Sequence, residues 1–324
     1  MKRIIVAVVC LFVSVAAFAD GALKFTILYT NDLHGWMMPF DYATSNAKFM
    51  AKEFVDEKYV RKDAGGLARR ATFIKKLRKE SADPVILIDA GDLFNRGPYQ
   101  ALSQGELEIR AYDAMKYDMC CVGNNDLKGT QDTSSQGLLV RLMRRSEFPW
   151  LSANLTVGGT GQPVEGLRPF VVRRINGVDV GFLGLTADRS RQYPQVAGWT
   201  IEDPIEAAKK WIPIARAECD ILILVTHVGY DVDRLLASSV SGIDVIVGGD
   251  SHTFLPDPAM VKGPDGREVP IVQDGAYGVC LGRLSLSFED KGAWRLASSS
   301  GALLPIDAST AEDPEIAKIL QACE

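Results

Sequence analysis

Five short apolar runs in this chain each break off into a cluster of Asp, Asn or His, and this recurrence constrains the fold more than any other feature. Phe25-Thr26-Ile27-Leu28-Tyr29-Thr30 ends in Asn31-Asp32-Leu33-His34-Gly35. Pro84 to Asp89 ends in Ala90-Gly91-Asp92, and Asp118 to Val122 runs into Gly123-Asn124-Asn125-Asp126. Ile221 to Val225 leads to Thr226-His227, and Asp244 to Val247 leads to Gly248-Gly249-Asp250-Ser251-His252. Short apolar, β-branched runs bounded by turn formers read as buried strands. Helical patterns lie between them. Gly65-Gly66 opens one in which Leu67, Ala71, Ile74 and Leu77 share a face, and Gly105 to Lys116 turns Leu107, Ala111, Ala114 and Met115 inward. Strands alternating with helices specify an α/β fold with parallel pairing.

The remaining elements follow the same grammar. Gln136 to Arg145 reads as a helix, Pro149 to Ala153 as a strand, and Phe170 to Gly184 as a hairpin turned at Asn176-Gly177. Glu202 to Glu218 is expected to be a helix with Pro204 near its start, kinked or divided at Pro213. Ile271 to Gln273 and Leu281 to Phe288 suggest further strands, and Asp41 to Lys62 a polar surface excursion. Arg69, Arg70, Lys75, Lys76 and Lys79 fall mostly off the apolar face of the first helix and are expected on a solvated surface.

The N-terminus stands apart. Met1-Lys2-Arg3 is basic, Ile4 to Phe18 is apolar, and Ala17-Phe18-Ala19 is a small-x-small cleavage site. Residues 1–19 are therefore expected to be a signal peptide. Residues 20–324 are expected to form a single domain, with no membrane association after cleavage and a periplasmic location. The formal net charge is −5 and no basic stripe occurs, which argues against nucleic-acid binding. Beyond the leader the cysteines are Cys120, Cys121, Cys219, Cys280 and Cys323, an odd number that excludes complete pairing within one chain. Three of these, Cys121, Cys219 and Cys280, sit in or beside apolar runs, where a buried thiol is the simplest reading.

The chemistry gathers at the strand ends. Asp32, His34, Asp92, Asn124, His227, Asp250 and His252 occupy them, and they include all three histidines of the chain. Ligands of open α/β sheets bind beyond the carboxyl ends of strands, so one pocket could collect all seven. Oxygen and imidazole donors without thiolates favour Mn, Fe or Zn. A carboxylate such as Asp92 could bridge two ions held about 3.5–4 Å apart, as phosphoryl transfer requires. Arg96, four residues beyond Asp92, is an anion-binding candidate.

In this order the motifs resemble the catalytic domain of bacterial 5′-nucleotidases and UDP-sugar hydrolases, calcineurin-like metallophosphoesterases. Gly65-Gly66-Leu67-Ala68-Arg69, the stretch Phe148 to Leu155, and Asn176-Gly177-Val178 add to the likeness, which runs from about Phe25 to Asp307. The resemblance implies a four-layer α/β/β/α sandwich with two central mixed sheets. It also implies a phosphate-ester hydrolase working through a hydroxide on two divalent ions. One ion would take Asp32, His34, Asp92 and His252, and the other Asp92, Asn124, His227 and Asp250.

Three departures qualify that expectation. The family's loop reads Gly-Asn-His-acidic, with a second acidic residue three positions beyond the histidine; here the dyad positions hold Asn125 and Lys128. Asp250 replaces an imidazole and makes the site less positive by about one charge. No C-terminal base-clamping domain is expected. Asn125 and Lys128 remain candidates for hydrogen bonding to a phosphoryl oxygen. Two alternatives accompany the phosphoesterase reading. One is a hydrolase of another small anion, such as a sulfur-linked sulfonate. The other is a non-catalytic metal- or ligand-binding protein, with a redox variant at Cys120-Cys121.

Overall fold

The computed structural model describes residues 21–42, 62–95, 97–128, 137–188 and 198–323. The signal-peptide segment, Arg96, Gln136 and most of the Asp41 to Lys62 excursion lie outside the described residues. That excursion leaves and returns at one point, where Phe40 and Ala64 exchange backbone hydrogen bonds of 3.0 and 2.8 Å.

Two mixed sheets form the centre. Edge to edge, the first runs Trp294–Pro305, Cys280–Asp290, Ala22–Thr30, Val85–Asp89, Met119–Cys121, Trp150–Leu151 and Leu167–Arg168. Pairing is antiparallel up to Ala22–Thr30 and parallel beyond it. The second runs Ala259–Lys262, Glu268–Val272, Val245–Val247, Ile221–His227, Val178–Thr186 and Phe170–Ile175. Its core is parallel and both edge strands are antiparallel.

The strand sequences explain the layering. Along Ala22–Thr30, Leu23, Phe25, Ile27 and Tyr29 pack with Phe182, Ile223 and Val247 of the second sheet. Leu28, on the opposite face, joins the helices Leu67–Glu80, Glu106–Met115, Leu138–Arg145 and Pro314–Leu320. The second sheet's outer face packs on the helices Pro204–Arg216 and Tyr230–Ser239. A strand covered on both faces must be apolar throughout, hence the continuous runs. Each fully buried Leu, Ile or Phe contributes about 1.5–3 kcal/mol. The layers are thus helix, sheet, sheet, helix.

Several elements differ from expectation. Arg70 is not on a solvated surface but 1% exposed, with Nη1 donating to Tyr112 at 3.2 Å and Tyr117 at 3.3 Å. Those phenols come from another element, which the helix's own period cannot reveal. Pro213 does not divide its helix, which runs unbroken from Pro204 to Arg216. Lys209 and Pro213 are both exposed, so the carbonyl deprived of its donor faces water. The strands Trp294–Pro305 and Ala259–Lys262, and the helices Tyr230–Ser239 and Pro314–Leu320, are additional to the elements expected from the sequence. The Asn176-Gly177 turn has φ of 46° and 88°, the two left-handed residues of a type I′ hairpin.

Candidate metal centre

All five strand ends open onto one place, at the carboxyl ends of central strands where the two sheets meet. Asp32 and His34 follow Ala22–Thr30, Asp92 follows Val85–Asp89, and Asn124 and Asn125 follow Met119–Cys121. From the second sheet come His227, the last residue of its strand, and Asp250 and His252, beyond Val245–Val247. The loops are laced together by backbone. Asp32 N donates to Gly91 O at 2.8 Å, His34 N to Asp92 O at 2.8 Å, and Gly35 N to Leu93 O at 3.0 Å.

The donors converge on Asp32. Its Oδ1 lies 3.2 Å from His252 Nε2, 3.5 Å from His34 Nε2 and 3.8 Å from His227 Nε2. That oxygen is buried and has no hydrogen-bond partner. Asp92 Oδ2 stands 3.3 Å from His227 Nε2 and 3.7 Å from His34 Nε2. Asp250 Oδ1 is 3.8 Å from His227 Nε2, and the Nε2 atoms of His34 and His252 face each other at 3.1 Å. Asp32, His34 and His252 form one compact donor group, and Asp32, Asp92 and His227 a second, so Asp32 is common to both. Asn124 is buried on its loop between Gly123 and Asn125.

Backbone strain marks the same residues. Asp32, His34, Asp92, Asp250 and His252 have φ of 51°, 52°, 59°, 78° and 53°. Such conformations cost residues other than glycine about 1–3 kcal/mol each and persist where surrounding contacts impose them. Glycine is required at two approaches. A Cβ on Gly123 would lie 2.1 Å from Asp92 Oδ1, and one on Gly249 would lie 2.8 Å from His227 Nδ1.

The buried carboxylates and imidazoles perturb one another's ionisation. Burial alone would raise the Asp32 carboxyl, but the charges of His252 and His227 hold it well below the usual range. Burial likewise opposes ionisation of Asp92, and chiefly the His227 charge brings it down to about 2. Burial lowers His34, whereas the charges of Asp92 and Asp32 raise His227 against the opposing effect of its burial. His227 Nδ1 lies 2.8 Å from Ala90 O, a contact that orients the ring with Nε2 facing the Asp32 and Asp92 carboxylates. An orphaned carboxylate oxygen ringed by imidazole nitrogens, with no thiolate near, fits a divalent first-row ion.

Supporting residues escaped the sequence reading. Asn31 Nδ2 donates to Asp32 Oδ2 at 2.7 Å, and Asp126 Oδ2 accepts from both Asp92 N and Gly123 N at 2.9 Å. Asn95 donates to Asn125 O at 2.7 Å. Adjacency to the motifs was the only available clue to Asn31 and Asp126. Asn125 and Lys128 do reach the centre. Asn125 Nδ2 donates to Asp92 Oδ2 at 2.5 Å, its backbone N donates to Asp92 Oδ1 at 2.6 Å, and Lys128 Nζ donates to Asn125 Oδ1. Cys120 and Cys121 are buried free thiols, both pushed up by burial.

Known proteins resemble this chain over most of its length. The calcineurin-like phosphoesterase family profile matches residues 25–254. The 5′-nucleotidase of Homo sapiens is 31% identical over 319 residues, covering 92% of this chain and 52% of its own length. The snake venom 5′-nucleotidase of Gloydius brevicauda is 30% identical over 324 residues, covering 95% and 52%. The solved 5′-nucleotidase precursor from Thermus thermophilus has a TM-score of 0.79 at 25% identity, covering 93% of this chain and 58% of that one. YfkN from Bacillus subtilis, at 22% identity and a TM-score of 0.71, shares the fold over 93% of this chain and 96% of its own. This chain spans about half the length of the curated relatives it matches.

Proposed function

The chain belongs to the calcineurin-like phosphoesterase family, and from that premise we propose that it is an exported, metal-dependent phosphoesterase of 5′-nucleotidase type, acting on a small phosphate ester. The observation that carries this reading is Asp32 Oδ1, buried without a hydrogen-bond partner among the Nε2 atoms of His252, His34 and His227. Asp32, His34, Asp92 and His252 would hold one ion. Asp92, Asn124, His227 and Asp250 would hold the other, with Asp92 shared because its Oδ2 faces the Nε2 atoms of both His227 and His34, while Asp32 Oδ1 lies between the two groups. Mn, Zn or Fe ions would supply positive charge for the phosphoryl oxygens and acidify a water molecule.

The chain's own residues supply orientation. The contact of His227 Nδ1 with Ala90 O fixes the ring, and Asn31 Nδ2 fixes the Asp32 carboxylate. The N–H of Asn125 Nδ2 not taken by Asp92, and Lys128 Nζ beyond its bond to Asn125 Oδ1, are candidate donors for a phosphoryl oxygen, and neither acts as the imidazole acid of the family pattern. Arg96 remains an anion-binding candidate. Export to the periplasm rests on the basic, apolar and small-residue order of residues 1–19. N-terminal sequencing of mature protein should begin at Asp20.

The decisive experiment is a phosphoester hydrolysis screen on metal-free protein reconstituted separately with Mn, Zn, Fe, Ca and Mg, alongside elemental analysis. Activity with Mn, Zn or Fe is expected. Asp92→Ala should lose both ions, and His34→Ala should mainly weaken one. No stoichiometric metal under any reconstitution would overturn the reading. The neutral amide of Asn125, tied to Lys128, favours a second reading: a metal-binding protein without turnover. Full metal uptake with no hydrolysis of any ester would select it.

A further inference from the structure

The strand Glu268–Val272 contributes no candidate ligand, yet the residue after it controls a loop that contributes two. Gln273 is completely buried. Its Nε2 donates to Gly249 O at 2.9 Å, and its Oε1 accepts from Ser251 Oγ and from Thr253 N, each at 3.0 Å. One amide thus grips the loop 249–253 at its beginning, middle and end. Asp250 and His252 are the two residues between the gripped points, and both are held in the left-handed region, at φ of 78° and 53°. No strand or helix encloses this loop, so regular backbone pairing does not impose that conformation.

The chemistry of the contact is specific to an amide. Gly249 offers an acceptor, whereas Ser251 and Thr253 offer donors, so the side chain between them must both donate and accept. Glutamate would keep the acceptors and lose the donor. An aliphatic side chain would lose all three bonds and leave buried polar groups unpaired. The next residue treats the opposite wall similarly. Asp274 N donates to Asn31 Oδ1 at 2.9 Å, Asp274 Oδ1 accepts from Asn31 N at 3.1 Å, and Asn31 in turn holds Asp32. Consecutive side chains of an extended segment point to opposite sides, so neighbouring residues can reach two different ligand loops.

We propose that Gln273 is a positioning residue of the metal centre, holding Asp250 and His252 in ligating geometry through the Gly249–Thr253 loop. The inference rests on the metal-centre reading above.

The test uses the full chain as wild type, Gln273→Leu and Gln273→Glu, stripped of metal and titrated with Mn²⁺ or Co²⁺. Affinity and stoichiometry are read together with the visible absorption of the cobalt form. Gln273→Leu should bind about 10–100-fold more weakly, as supporting partners of metal ligands generally do when removed. It should also show an altered cobalt spectrum. Gln273→Glu should fall between it and wild type. Far-ultraviolet circular dichroism of the metal-free proteins reports folding. If Gln273→Leu does not fold, Gln273→Glu decides the matter, because it keeps the acceptor contacts to Ser251 Oγ and Thr253 N and removes only the bond to Gly249 O. It should weaken binding severalfold in the same direction. Folded variants with wild-type affinity and an unchanged cobalt spectrum overturn the inference alone. A wild-type protein that takes up neither ion overturns the metal-centre reading and this inference with it.

Discussion

Asn125 occupies the position where the family pattern has an acid, and its surroundings fix what it can do. Lys128 Nζ engages the amide oxygen and Asp92 Oδ2 takes the amide N–H, so the donor side faces the carboxylates. An amide neither gives nor takes a proton near neutral pH, and a positioned acid contributes about 10²–10⁴-fold. Esters with strongly basic leaving groups should therefore suffer most. Asn125→His combined with Lys128→Asp should raise kcat on a nucleoside monophosphate more than on nitrophenyl phosphate, whose leaving group departs unprotonated. Equal effects on both would rule out leaving-group protonation as the limiting step. Gly123 makes a steric prediction at the same scale. With a Cβ placed 2.1 Å from Asp92 Oδ1, Gly123→Ala must displace that carboxylate. Metal affinity should drop with it, by calorimetric titration.

The helix Glu106–Met115 carries a pH dependence of the whole protein's stability. Glu108 is fully buried, Ser103 Oγ donates to its Oε2, and its Oε1 has no partner. Burial pushes its carboxyl from 4.5 up to about 7. Between those values the folded chain keeps a proton that the unfolded chain releases, so stability falls as pH rises. The loss is about 3 kcal/mol across that window. Glu108→Gln should flatten the dependence, seen as a smaller difference in Tm between about pH 5 and about pH 7. The helix Pro204–Arg216 shows a local rule at work. Asp203 Oδ1 accepts from Ile205 N at 2.9 Å and Glu206 N at 3.0 Å, with Pro204 in the first turn. Asp203→Ala should cost about 1 kcal/mol in denaturant unfolding.

At the scale of the molecule, the two sheets must meet in one register for the five strand ends to share a site. Asn154 is one of the pins. It is buried, donates to Thr186 O at 2.7 Å and Glu202 O at 2.9 Å, and accepts from Thr186 N at 2.8 Å. Asn154→Leu orphans several buried backbone groups at about 1–3 kcal/mol each, so chemical denaturation should show a loss of several kcal/mol. The chain by itself determined the strands that feed the site, because an apolar run ending in turn formers is a local pattern. It also determined the candidate ligands, since each is written at such an end, and the Asn176-Gly177 hairpin. What it left open depended on partners distant along the chain. Trp294–Pro305 is half-exposed and rich in serine, and it is a strand because Cys280–Asp290 pairs with it. Arg70 is buried by the phenols of Tyr112 and Tyr117, and Gln273 acquires a role only when the loop 249–253 folds onto it. Periodicity and turn chemistry act over a few residues and are written in the sequence. Which side chain closes a buried hydrogen bond across tens or hundreds of residues is decided only when the sheets pack.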